Sequence, residues 1–320
     1  MRDKKKLLAV SAFATAAVAG IHIYNRLAFL YSTMKGRLAG VTDSSYQWRF
    51  GKVCYSVKGE GSPLLLVHHL DFDASSWEWQ SIVDELAKNH KVYQLDLLGC
   101  GSSDKPKLTY TNYLYVQLIN DFIKDIIKGK TDVMTSGNAS SLAVMACFVE
   151  PTLYNRLVFI HPESISETKR IPGGNHKALK HIIEMPLAGT FIYNLISSKR
   201  ALARKSENIY FGNFGGMDPD AQESIVDSMN EAAHLYGASA RYLYASLRSH
   251  FSSIYIGNAL KQLNHSIFII GSDEKDSQTA LDEYKALNPA VETSVVHGGK
   301  MLMHMEKIDE VMELCHIFLD

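Results

Sequence analysis

Residues 135–143 read TSGNASSLA, with three serines (Ser136, Ser140 and Ser141) set among small residues directly after the segment TDVMT. A serine hydroxyl becomes a nucleophile when a histidine within hydrogen-bond reach takes its proton and a carboxylate orients that histidine. The backbone beneath such a serine makes a tight strand-to-helix turn, spelled G-x-S-x-G, because small neighbours relieve the crowding there. None of the three serines falls readily into that slot. The groups that could complete the chemistry are spread along the chain: His68-His69 after an apolar run, Asp273 and Glu274 in IIGSDEKD, and His297 and His304 in HGGKMLMHMEK. Cys54, Cys100, Cys147 and Cys315 show no C-x-x-C spacing, so neither a zinc site nor a disulfide framework is expected, and no cofactor is implied.

Rigid elements must bring these groups together, and the pattern from about Tyr46 onward supplies them. PLLLVHH (63–69) is a continuous apolar run, suited to a strand buried on both faces. YQWRFGKVCYSVKG predicts a hairpin turning near Gly51, and KVYQLDLLG, TDVMT, RLVFIH, SIFIIG and TSVVH predict further strands. SSWEWQSIVDELAKN predicts a serine-capped helix with Trp79, Ile82, Val83 and Leu86 on one face. YLYVQLINDFIKDIIKG predicts a helix with Leu118, Ile119, Phe122, Ile123 and Ile126 inward, stopping at Gly129. SSLAVMACFVE reads as a short apolar helix behind the serine stretch, and MEKIDEVMELCHIFLD as the closing helix. Strand and helix alternate, which implies an α/β sheet. Between about 164 and 255 the pattern turns helical and aromatic-rich, with Phe191, Tyr193, Tyr210 and Phe214 among its rings. An insertion of that size between strands predicts a cap over the strand ends, most of its aromatics packing it onto the body.

A chain of 320 residues suffices for one large α/β domain or two small ones, and a net charge of -1 without a basic stripe excludes nucleic acid as a partner. The N-terminus differs. MRDKKK precedes LLAVSAFATAAVAGIHIY, with no charge before Arg26, close to the lower limit of about 17–25 apolar residues for a spanning helix. Residues 1–30 are thus expected to be a single membrane helix, with a cleaved signal (A-x-A at Ala17–Ala19, giving a secreted protein) or an amphipathic arm as alternatives. The lysine cluster favours a cytoplasmic N-terminus, against which stand Arg26, Lys35 and Arg37 on the other flank.

LLLVHHLDFDASSWEW and, more specifically, YQLDLLGCGSSDKP (93–106) resemble the strand–loop segments of the α/β-hydrolase family, whose second motif is written D-x-x-G-x-G-x-S-D-x-P. RLVFIHP, IFIIGSDEKD and HGGKMLMHMEKIDEVM are similar to its later strands, closing loop and helix. The resemblance implies an α/β-hydrolase fold over residues 45–320: a mostly parallel eight-stranded sheet flanked by helices, with a cap inserted after the sixth strand. It implies relatives that are esterases, lipases, epoxide hydrolases and dehalogenases. It also implies slots. With Gly137 as the leading glycine, Ala139 occupies the nucleophile slot; with Ser136 leading, Asn138 does. Counting back from Glu306 puts Met301 in the base slot, and the acid slot falls on Glu274 by spacing or Asp273 by residue type. The oxyanion donors would be the N–H groups of Leu70 and Ser140, with His69 in place of the usual glycine.

Two functions follow. The first is a binding or scaffold protein, holding a small apolar or amphipathic ligand under the cap, since neither alanine, asparagine nor methionine can do the slot's chemistry. The second is an active hydrolase of an ester or related bond with relocated groups, using Ser136 or Ser140 with His304, His297 or the His68-His69 pair.

Overall fold

Eight strands form one sheet in the computed structural model, which describes residues 2–319 and all of their side chains except those of Arg2, Asp3, Lys5 and Leu7. The expectations placed on the lysine cluster and on Asp320 therefore lie partly outside the described residues. The strands are β1 (Ser44–Trp48), β2 (Gly51–Lys58), β3 (Ser62–Val67), β4 (His90–Leu95), β5 (Thr131–Ser136), β6 (Tyr154–Ile160), β7 (Ser266–Ser272) and β8 (Val291–Val296). Their spatial order is β1-β2-β4-β3-β5-β6-β7-β8. β1 and β2 form the expected antiparallel hairpin, β2 pairs antiparallel with β4, and every other pairing is parallel.

Along β3, Leu64 and Leu66 face one helical layer together with Val83, Leu86 and Val311, whereas Leu65 and Val67 face the other with Phe122 and Ala143. Successive side chains point to opposite faces, so a strand covered on both sides needs apolar residues at every position. That requirement makes PLLLV a continuous run. The motif loop after β4 is architectural. The Asp96 carboxylate accepts the N–H groups of Ser76 and Ser102, both at 2.7 Å. Gly101 passes so close, at φ +46°, that a Cβ there would lie 2.3 Å from that carboxylate.

Three helices depart from expectation. SSWEWQSIVDEL is a 3-10 turn (Ser76–Trp79) and a single α-turn (Val83–Leu86), held tight where Asp96 takes the Ser76 N–H, although Trp79, Ile82, Val83 and Leu86 are buried as their spacing implies. The helix Asn112–Phe122 widens into a π-turn over Ile123–Ile127 and stops on left-handed Lys128 (φ +60°), one residue before Gly129. The closing helix breaks at Lys307 into Met303–Glu306 and Ile308–Leu319.

Between β6 and β7 lies the helical insertion, with helices Gly174–Glu184, Ala188–Ile196, Lys199–Lys205, Pro219–His234 and Arg241–Arg248. Tyr193, Leu202, Phe211, Phe214 and Met229 form its apolar centre, joined to the body through Phe72 and Leu302. At the N-terminus a continuous helix spans Arg2–Ser32, of which Leu8–Ser32 is long and apolar enough to cross a membrane, with a mean hydropathy of 1.4. Its last turns lie on the insertion. Buried Asn25 accepts a hydrogen bond from Asn194 Nδ2 (2.8 Å), Tyr24 meets Phe191 edge-on at 5.4 Å, and Lys35 pairs with Asp227 at 2.7 Å.

Candidate functional site

β4 and β5 lie on opposite sides of β3, so the chain reverses direction there and opens a crevice at the strand ends, where ligands of such sheets bind. The segments that emerge into it are His68–Leu70 after β3 and Ser136–Asn138 after β5. Gly137 makes the turn from β5 into the helix Ala139–Val149, at φ +53°, and its N–H donates to the Ile160 carbonyl at 2.9 Å. A left-handed residue here aims its Cβ direction into the crevice. A Cβ on Gly137 would sit 2.8 Å from Met301 Sδ and 3.4 Å from His69 Cβ. The left-handed residue of the turn is therefore Gly137, one position before Asn138 (φ -70°) and two before Ala139, the two residues named from the sequence for the nucleophile slot. The glycine is itself the residue that needs the left-handed backbone, rather than its small neighbour.

The other expected residues scatter. Ala139 is fully buried in the first turn of its helix. Met301 stands against the elbow, but a thioether takes no proton in water. Leu70 N–H does not point at an open hole. It donates to Asn138 Oδ1 at 2.8 Å, while Asn138 Nδ2 donates to the Leu70 carbonyl at 3.0 Å. Ser140 N–H donates to the Gly137 carbonyl at 3.3 Å, and its hydroxyl lies 2.9 Å from Thr135 Oγ1. Asp273 accepts from Gly298 N–H (2.8 Å) and lies 3.4 Å from the Nδ1 of His297, whose side chain is 84% exposed outside the crevice. Glu274 does reach the crevice, 3.8 Å from Lys300 Nζ and 3.9 Å from His161 Nε2. His304 is buried and stacked on Trp79 at 4.5 Å, and burial, only partly opposed by Glu78, pushes it down to about 4.

Beneath the elbow runs a buried polar chain that the sequence did not reveal. Ser136 Oγ donates to Glu78 Oε1, and Glu78 Oε2 lies 2.6 Å from His69 Nδ1. His69 Nε2 lies 3.2 Å from the Tyr210 hydroxyl, which donates to Asp73 at 3.2 Å. Lys205 Nζ closes the chain between Asp73 (2.9 Å) and Asp71 (2.7 Å). Burial alone would strip the charge from His69, but the Glu78 carboxylate outweighs it and holds the imidazole above its usual range. Glu78 is correspondingly held below its own range: burial opposes this and the His69 charge prevails. His68 takes no part. Its Nε2 accepts Leu97 N–H (3.0 Å), which puts its proton on Nδ1, 2.6 Å from the His69 carbonyl. Ser136, His69 and Tyr210 had drawn notice in the sequence; Asp73 and Lys205 carry no spacing signal, since they lie 132 positions apart along the chain.

Two cavities meet at this point. One, of about 420 Å³, is lined by Gly137, Met301, Tyr210, Lys205, Glu274 and Lys300. The other, of about 400 Å³, is lined by Ser141, Leu142, Arg170 and Leu247, and the two share Leu70, Asp71, Asn138, Glu163 and Arg248. The lining is more charged than the sequence suggested. Burial, with Glu167 adding to it, raises Glu163 to about 7, so this carboxyl can donate a hydrogen bond near neutrality.

A sequence model described as the Alpha/beta hydrolase family matches residues 64–314. The chain is 32% identical over 110 residues to 2-hydroxy-6-oxo-6-(2'-aminophenyl)hexa-2,4-dienoic acid hydrolase of Metapseudomonas resinovorans, a stretch covering 33% of this chain and 37% of that protein. It is 23% identical over 183 residues to 2-hydroxymuconate semialdehyde hydrolase of Pseudomonas sp. (strain CF600), covering 54% of this chain and 65% of that protein. The chain thus spans between about a third and two thirds of these relatives' length. Among solved structures, a membrane phospholipase A superposes with a TM-score of 0.68 at 18% identity, covering 99% of this chain and 98% of its own. That likeness is one of fold.

Proposed function

The chain belongs to the alpha/beta hydrolase family, and on that ground we propose that it is a membrane-anchored member that binds a small amphipathic ligand at the strand ends without acyl transfer. One observation carries the reading: at the elbow, left-handed Gly137 faces Met301, so the position that would aim a nucleophile offers no oxygen and its neighbour offers no base. Gly137 is the nucleophile position, Met301 the base position, and Glu274 the acid position, with Asp273 turned away to hold the β8 loop. The Leu70–Asn138 amide pair supports the same reading, because it occupies a donor that an oxyanion would need.

The insertion is the cap over this pocket. Its mixed lining, with Arg248, Lys205 and Lys300 beside Leu70 and Leu142, favours an amphipathic ligand over a purely apolar one. The relocated-hydrolase reading fares worse, since Ser136 and Ser140 are both fully buried and their hydroxyls are held by Glu78 and Thr135. The N-terminal helix is the anchor, in keeping with its length and apolar surface.

The test uses the full chain in detergent with p-nitrophenyl butyrate as probe. Binding is read as a raised unfolding temperature, and no p-nitrophenolate should form beyond the rate of the heat-denatured chain. Sustained release that is lost in Ser136→Ala or Ser140→Ala would replace the binding reading with the hydrolase reading.

A further inference from the structure

The insertion helix Ala188–Ile196 is apolar on two sides. Its inner side carries fully buried Tyr193, packed on Phe72 and His234. Its outer side, by helical spacing i, i+4, i+7, carries Ala188, Ile192 and Leu195, all exposed, Ile192 at 38% and Leu195 at 48%. Thr190 and Asn194 make the remaining side polar, and with the inner side already packed on the insertion, the second apolar side is left to be covered by other protein or by lipid. The preceding segment continues the surface, with Ile182 exposed at 46% and Met185 at 37%. Isolated apolar residues on a surface mean little, but these lie on one short stretch of chain.

The place of that stretch says what covers it. The N-terminal helix meets the protein here: Asn25 bonds to Asn194, and Tyr24 packs on Phe191 of the same insertion helix. From Leu8 to Tyr24 that helix rises about 25 Å at 1.5 Å per residue, near the roughly 30 Å of a bilayer's hydrocarbon core. Its point of exit from the membrane therefore falls beside the uncovered apolar side. Arg200 is exposed just past the helix end, beside Lys199, which is itself paired with Asp227 at 2.5 Å; a cation there suits the phosphate level of a bilayer surface.

We propose that the outer side of Ala188–Ile196, with Ile182 and Met185, beds into the interfacial layer of the bilayer in which the N-terminal helix is anchored. The occupant is phospholipid, and the surface is a second membrane contact made by the insertion itself. This rests on the anchor reading above. The pocket would then open beside the bilayer, because the adjoining helix Gly174–Glu184 packs against the cavity-lining segment, with His176 and His250 edge to face at 4.7 Å.

The experiment places single cysteines in the full chain (Ile192→Cys, Leu195→Cys, and for reference Phe13→Cys, Phe50→Cys and Ile317→Cys), labels them with bimane, and reconstitutes each in vesicles of dibrominated phosphatidylcholine. The four native cysteines are buried, and the unsubstituted chain supplies the background. Bromine quenches by contact, so emission should be lost at 192, 195 and 13 but kept at 50 and 317, with 192 and 195 at a depth of roughly 5–10 Å. Quenching at 13 without quenching at 192 and 195 overturns the proposal and leaves the anchor standing. No quenching at 13 removes the anchor and the proposal with it. Equal quenching at 50 and 317 would mean unspecific adsorption, and also overturns it.

Discussion

Placing an oxygen nucleophile at Gly137 tests the proposed nucleophile, base and oxyanion positions one at a time. In Gly137→Ser the new Cβ would meet Met301 Sδ at 2.8 Å and Cγ at 3.2 Å, both on a flexible side chain that can withdraw. A non-glycine residue at φ +53° costs about 1–2 kcal/mol, so the variant should fold with modestly reduced stability. Without a base it should label poorly with an activated fluorophosphonate. Adding Met301→His supplies the base from the neighbouring position, and slow labelling of the introduced serine is expected. The oxyanion side still fails, because Asn138 Oδ1 holds the Leu70 N–H at 2.8 Å. One such donor is worth about 2.7–4 kcal/mol, or roughly 10²–10³ in rate. Asn138→Ala on top of the double change should therefore speed labelling by about a hundredfold. The readout is the labelled fraction against time by intact-protein mass spectrometry. Stoichiometric labelling of the unmodified chain at Ser136 or Ser140 would refute the reasoning, and labelling of Ala139→Ser with Met301→His in preference to the Gly137 pair would refute the register.

Glu78→Ala leaves the His69 charge buried without its carboxylate, and should lower the unfolding free energy in urea by about 3–5 kcal/mol. His304 sits near 4 in the folded chain against about 6.5 when unfolded, so the unfolded state binds the extra proton and stability is lost as pH falls from about 6.5 towards 4. His304→Phe keeps the stack on Trp79 and should reduce that loss, seen as a smaller drop in urea midpoint between pH 7 and pH 4.5. The full chain should stay with membranes through a high-salt wash, which strips only electrostatically held proteins; recovery of the intact chain in the soluble fraction would count against an anchor.

The sheet was legible because strands buried on both faces must be apolar at every position, and Leu64 to Val67 obey that without exception. Helix ends were less so: the stop at Lys128 uses left-handed backbone at a residue whose type gives no hint of it. The turn after β5 was legible from its small residues, whereas which of them takes the left-handed backbone was not, because Gly137 could be read as a flank as well as the turn itself. Glu78 was hidden for a different reason. Helical spacing in SSWEWQSIVDEL would set it only at the edge of the apolar face, four residues before Ile82, where a glutamate is ordinarily solvated; the segment is instead a 3-10 turn that buries it against His69. Counting from Glu306 led to Met301, which does lie against the elbow, whereas His304, three residues on, disappears beneath Trp79.

The polar chain from Glu78 to Asp71 joins residues 132 positions apart at Lys205–Asp73 and 141 apart at His69–Tyr210. None of these contacts can form until β6 has been laid down and the insertion has returned across the strand ends. An insertion only half docked would part Lys205 from Asp71 and Asp73 and the Tyr210 hydroxyl from His69, although His69 would keep Glu78, and parting buried charged partners is costly. The insertion is therefore expected to dock onto the body as one cooperative unit. Protease sensitivity across 161–265 would then rise in a single step as the chain is destabilised.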